Sequence, residues 1–86
     1  MRREDEFFGE QDLSLVYIAK KLKEALAVET LLTRAEYDYF VEPDRYRGGV
    51  IFQTERVGAF FYVVSERESQ VREYLAANGY IPWQPA

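Results

Sequence analysis

The chain of 86 residues contains no cysteine and no histidine. Without cysteine there is no disulfide framework, no thiolate nucleophile and no cysteine-based zinc site. Without histidine the commonest general base and the commonest transition-metal ligand are missing. Any catalysis would have to run on carboxylates, lysine, arginine or tyrosine, and no Asp-x-Asp cluster or calcium-loop spacing appears. Long apolar runs are also lacking. The longest, Ala59–Val64, falls far short of the ~18 residues a bilayer span requires. The opening stretch MRREDEFFGEQD has no apolar core, so no signal peptide is expected and the sequence reads as cytoplasmic, with no membrane association.

What is present suits one small α+β domain. Apolar residues make up 48% of the chain, with seven tyrosines and six phenylalanines, which is enough for a core and speaks against disorder. A chain this short buries only about 60–65% of its unfolded surface, so that core is modest. The net charge is −4. Residues 1–12 hold two arginines against five carboxylates, a balance of −3, so the remainder is nearly neutral. The acidity concentrates in what reads as a flexible arm over 1–12, followed by a domain over 13–83 and a short tail over 84–86. Phe7 and Phe8 are the residues of that arm able to dock.

Two strand–helix units organise the chain. Leu13–Ala19 reads as a strand apolar on both faces, with Leu15 and Tyr17 on one side and Val16 and Ile18 on the other, and hence as a central strand. A helix from about Lys20 to Glu36 follows. Ala25, Val28, Leu32 and Ala35 form its core stripe, and Leu22, Leu26 and Leu31 widen it. Tyr37–Glu42 alternates as a half-exposed strand that Pro43 ends, and Asp44–Gly49 reads as a loop. Val50–Thr54 and Ala59–Val64 read as two strands of a hairpin with its turn at Glu55–Gly58. Ser65 and Glu68 have capping-box spacing at the start of a second helix. Val71, Tyr74 and Leu75 face inward from it, and Asn78-Gly79 stops it. Tyr80–Trp83 suits a last edge strand. The order predicts a ferredoxin-like βαββαβ fold: an antiparallel sheet with two helices on one face and an extra hairpin strand at 50–54.

The pattern Leu22, Glu24, Ala25, Val28, Leu31, Leu32, flanked by strands, resembles a bacterial family described as prokaryotic signal-transducing proteins. The likeness covers residues 15–78, including the second strand–helix unit that ends near Asn78-Gly79. Glu36-Tyr37-Asp38 stands where that family has a Gly-Ile turn, and the hairpin here is longer. The resemblance implies a PII-like ferredoxin fold and a regulatory or ligand-sensing role, with no catalytic residue and no cofactor.

Candidate sites are few. Arg45, Arg47, Gly48 and Gly49, with Arg56 nearby, combine guanidinium forks with glycines that admit a phosphate close to the backbone, so they form the candidate ligand site for a small anion. The alternative is a solvated turn whose arginines pair with Glu42, Asp44 and Glu55. Tyr17, Phe52, Phe60 and Tyr62, with Phe61, form an aromatic set suited to core packing or a homodimer interface, and less suited to stacking bases. Glu29 lies at the edge of the first helix's apolar stripe, and Lys20, Lys21 and Lys23 crowd its start against the helix dipole.

These features favour a non-enzymatic module. It would bind a partner protein or a small anionic ligand and self-associate through its sheet. An acylphosphatase-like hydrolase on the same fold is the enzymatic alternative, with Arg47 or Arg56 holding the phosphoryl group. It lacks the glycine-rich signature after the first strand, where Ala19-Lys20-Lys21 stands instead. RNA binding by the sheet is a third reading. The acidic balance and the absence of a basic stripe argue against nucleic acid.

Overall fold

The computed structural model describes residues 1–48 and 54–85. The elements in chain order are α1 (Asp5–Phe8), β1 (Leu13–Ala19), α2 (Leu22–Arg34), β2 (Phe40–Gly48), β3 (Thr54–Val64), a 3-10 turn at Ser65–Arg67 and α3 (Glu68–Ala77). The three strands form one antiparallel sheet in the order β1-β3-β2. The fold is therefore a small α+β domain.

One face of the sheet carries the core. Val16, Tyr17 and Ala19 of β1, Phe61 and Val63 of β3 and Tyr39 just before β2 cluster with Ala25, Val28 and Leu32 of α2 and Val71 and Leu75 of α3. The 3–4 spacing of those helix residues explains why both helices lie on this face. Leu22 and Leu26 do not widen the stripe as the spacing suggests. They are 76% and 54% exposed. Leu22 instead lines a groove with Val57 and Pro43.

Both helices end in the same hydrogen-bonded stop. In α3, Tyr80 N–H donates to the Leu75 carbonyl and Gly79 N–H to the Ala76 carbonyl. Gly79 adopts φ +87°, as a left-handed stop needs. In α2, Tyr37 N–H donates to Leu32 and Glu36 N–H to Thr33. There the left-handed residue is Glu36, at φ +62°. The capping box expected at the second helix does not form. Ser65 Oγ is 2.7 Å from Ser14 Oγ, while Glu68 accepts from Arg72. The intervening 3-10 turn places α3's start at Glu68 itself, so the four-residue spacing no longer spans a helix N-terminus.

Four readings of the strands are corrected. β1 is an edge of the three-stranded sheet, and β3 is its centre. A bulge in β1 pairs Leu15 with Tyr62 but Tyr17 with Phe61, so Leu15 and Tyr17 lie on opposite faces. The extra residue, Val16, shifts the alternation by one, which is what a bulge does. Pro43 does not end β2. It pairs with Ala59 in mid-strand, because β2 has a single neighbour and an edge strand tolerates proline where a backbone N–H has no ladder partner. Glu55–Gly58 is no turn. β3 runs through it, with Glu55 opposite Arg47 and Gly58 opposite Asp44, so Asp44–Gly48 is strand rather than loop. Of the separate strand expected over 50–54, Thr54 begins β3, and the rest lies outside the described residues.

Gly58 misleads because glycine inside a strand pattern imitates a turn. Its role is close approach. A Cβ there would meet the Ala19 carbonyl oxygen and Tyr46 Cε1 at 3.0 Å each and Ile18 Cγ2 at 3.1 Å. The Tyr46 ring thus lies across the glycine.

The chain's two ends pack on this body. Tyr39 N–H donates to the Met1 carbonyl and Arg3 N–H to the Tyr39 carbonyl. Arg3 also pairs with Asp38 at 2.9 Å and lies 4.4 Å from the centroid of the Phe7 ring. Phe8 is 3% exposed. At the other end, residues 80–85 have no regular structure but form a strap along β1. Trp83 N–H donates to the Val16 carbonyl at 2.8 Å. Arg72 donates to Glu68, to the Leu15 carbonyl at 3.2 Å and to the Trp83 carbonyl. Bonds from Ser14 and Arg72 hold the Glu68 carboxyl below its ordinary value. One guanidinium therefore ties α3, β1 and the strap together.

Candidate functional site

A cleft of about 730 Å³ opens between the strap, the end of β1 and the far part of the β2–β3 hairpin. Tyr80, Ile81 and Trp83 wall it from the strap, Tyr17 and Ile18 from β1, and Tyr46 and Arg47 from β2. Lys20 and Glu24 enter from the β1–α2 junction. That junction is short because α2 begins three residues after β1 ends. Consequently the lysines at the start of the helix sit beside the sheet's edge.

Two sets of contacts line the cleft. In one, Tyr17 OH donates to Glu24 Oε1 at 2.6 Å, and the Tyr17 and Tyr80 rings meet edge to face at 5.8 Å. Burial, followed by the Glu24 bond and charge, pushes the Tyr17 phenol well above its ordinary value, so it stays protonated and keeps donating. In the other, Lys20 Nζ lies 5.5 Å from the Tyr46 ring centroid, within cation–π range. Arg47 also lines the cleft. Among the described residues neither Lys20 nor Arg47 is in a salt bridge. The cleft therefore offers two cations, one engaged carboxylate and a wall of aromatic rings.

The arginine set read from the sequence is divided by the ladder. Residues paired across an antiparallel ladder share a face. Arg47 pairs with Glu55 and Arg45 with Val57, which puts both arginines on one face. Arg56 pairs with Tyr46 on the other. Arg45 is bound to Glu55 at 3.2 Å in an exposed pair. Among the described residues of the candidate ligand set, Arg47 alone lines the cleft. Gly49 lies outside the described residues, and Gly48 ends β2.

The aromatic set is divided too. Tyr17 is 9% exposed and packs in the core, with its ring 6.4 Å from Phe61. It is not on the open sheet face, and the bulge is the reason. Phe60 and Tyr62 are on that outer face, where Tyr62 meets Phe40 at 6.0 Å. Burial, then the Glu42 and Asp44 carboxylates, raise the Tyr62 phenol above its ordinary value. Phe52 lies outside the described residues. Glu29 is paired with Arg2 at 3.4 Å.

Sequence reasoning passed over Tyr46, Glu24, Tyr80 and Trp83 as site residues. Tyr46 sits inside the DRYRGG stretch singled out for its arginines. Trp83 is the sole tryptophan and follows the last helix. Those two positions were the available signals. Among the described residues no group of three or more metal-ligating side chains comes together, and no helix is long and apolar enough to cross a membrane.

Comparison with known proteins finds no matching family model, no similar curated protein and no similar solved structure. The function is therefore argued from the cleft.

Proposed function

We propose that the protein is a non-enzymatic regulatory module that takes a small anionic ligand in the strap cleft. The carrying observation is that two cations, Lys20 and Arg47, line one cleft together with Tyr46, Tyr80 and Trp83. Cations beside apolar rings favour an anion of some bulk, whose apolar part can rest on the rings while its charge meets the cations. The cleft brings no activated nucleophile together with a base. Its single carboxylate is held by Tyr17, which favours binding over turnover.

The ferredoxin-like plan accompanies this reading. The order β1-β3-β2 with two helices on one face leaves the position beside β1 for a fourth strand, and the strap runs there on one backbone bond. In this reading the resemblance to signal-transducing proteins accounts for the use of the cleft as a sensor site. Self-association uses the outer face, where Phe40, Phe60 and Tyr62 lie opposite the helices.

Two measurements test the proposal. Calorimetric titration with pyrophosphate should show saturable binding that Lys20→Gln with Arg47→Gln abolishes. Heat of dilution alone, at low salt, would remove the anion reading. Sedimentation velocity should show a dimer that Tyr62→Glu dissociates, and a wild-type monomer at high concentration would remove the self-association.

A further inference from the structure

Of the three strands, β2 has the least helix packed against it. We infer that the groove between α2 and β2 is an interaction surface for an amphipathic helix of a partner protein, with carboxylates beside the helix's apolar stripe. The groove is separate from the strap cleft and independent of the anion reading.

The apolar surface is built by both elements. Val41, Pro43 and Val57 share the helix side of the sheet, since Val41 is opposite the buried Phe61, Pro43 opposite Ala59, and Val57 opposite Arg45. Leu22 and Leu26, one turn apart, flank the core stripe of α2 on the side of Glu29. That side faces β2, because Glu29 pairs at 3.4 Å with Arg2, which bridges to Tyr39 just before the strand. Leu22, Val41, Pro43 and Val57 line a groove of about 320 Å³. Leu22 is 76% and Val57 65% exposed. Exposed apolar side chains scattered singly are ordinary, whereas a group of them gathered on one groove marks a docking surface.

The chemistry selects the occupant. An added strand does not fit the neighbouring edge of β2. Tyr39 turns its backbone groups outward, where Met1 and Arg3 already bond them, so alternate residues after it face outward too. Of these, Pro43 has no N–H, and Arg45 N–H is held by Asp44 Oδ1 at 2.7 Å. A helix satisfies its own backbone and needs only apolar anchors in a groove. Charge selects an acidic one. Arg2 is paired with Glu29 and Arg45 with Glu55. Lys21, exposed at the start of α2, lines the groove, and the ladder puts Arg47 on the face of Val57. Among the described residues neither is in a salt bridge. Lys20 adds nothing here, because its amine lies by Tyr46 on the opposite face. A second copy offering the same flank of α2 would bring lysine against lysine, which opposes pairing.

The test is selection from a display library of stapled helices of ~15 residues, randomised on their surface, against the full-length protein. The expected winners carry apolar residues at i, i+4 and i+7 with Asp or Glu beside them. Anisotropy of a labelled winner should show Leu22→Glu and Val57→Glu each weakening it about tenfold or more. Both positions are exposed, and circular dichroism confirms that the variants are folded. Lys21→Glu should weaken the winner and strengthen a version with lysine in place of its carboxylates. Phe7→Ser, exposed elsewhere, should leave binding unchanged. No enrichment, or winners that ignore Leu22→Glu, overturns the inference. Binding to phosphatidylglycerol vesicles that Leu22→Glu abolishes, with no helix selected, overturns it in favour of a lipid surface. A dimer that Leu22→Glu breaks and Tyr62→Glu does not overturns it in favour of a second copy.

Discussion

Strands β2 and β3 pass through two environments on one continuous ladder. Their near halves, Phe40–Pro43 and Ala59–Val64, lie under the helices, and Phe61 and Val63 are fully buried there. Their far halves, Asp44–Gly48 and Thr54–Gly58, run on in register beyond the core, where Arg45, Arg47, Glu55 and Arg56 face solvent. The backbone pairing is the same in both, and only the side-chain surroundings change. The near half stabilises the fold, whereas the far half is free to carry charge. Gly58 marks the passage, where Tyr46 folds back over the ladder toward Ile18.

The comparison can be broken or sharpened by substitution. The largest effect is expected in the near half. Phe61→Ala should cost about 3–5 kcal/mol, read from urea unfolding, because a fully buried phenylalanine leaves a cavity. A loss under ~1 kcal/mol would mean that the core does not centre on β3. The strap comes next, since it is anchored on β1 and α3 and walls the cleft that the far half reaches. Arg72→Ala should cost about 2 kcal/mol, as it leaves the Leu15 and Trp83 carbonyls without this donor, while the half-exposed Glu68 keeps Ser14 and water. It should also shift Trp83 emission to longer wavelength, and unchanged emission would show that the strap stays without its clamp.

The same clamp sets a pH dependence. Glu68 has a folded pKa below its unfolded value of 4.5. Its contribution is present above that value and is lost as pH falls through the lower folded one. Ser14→Ala should weaken that part of an acid-unfolding profile most, and Arg72→Ala should weaken it less.

At the boundary, Gly58→Ala should cost about 1–3 kcal/mol, because its Cβ meets a backbone oxygen that cannot step aside. Neutral behaviour would mean that the far half swings freely about this point. In the far half, Arg45→Ala should change stability by less than ~0.5 kcal/mol. The pair it breaks is exposed on both sides, and solvent screens it. A larger loss would place the hairpin extension inside the cooperative core.

Much of the near half was legible in the chain. Ala25, Val28 and Leu32 announced the buried face of α2, and Val71 and Leu75 that of α3, because helical periodicity is a local property. Tyr39 and Val41 alternated as they should, and Gly79 marked the stop of α3. The passage between the two halves was misread at Pro43 and Gly58, the two residues whose usual meaning is a break. Each is tolerated here for a tertiary reason: an edge without a second neighbour, and a ring that needs room. Of the proposed ligand residues, the chain led to Arg47 but not to Tyr80 or Trp83, which reach it only through the strap.

The sequence by itself determined the two strand–helix units, the two helix stripes and the exclusion of thiol and imidazole chemistry, since these follow from local spacing and composition. The tertiary structure alone decided which strand is central, because the Val16 bulge and the order of pairing depend on distant partners. It also decided which charges share a site. Strand alternation separates Arg45 and Arg47 from Arg56, and chain packing gathers Lys20, Arg47 and Trp83 from three distant segments.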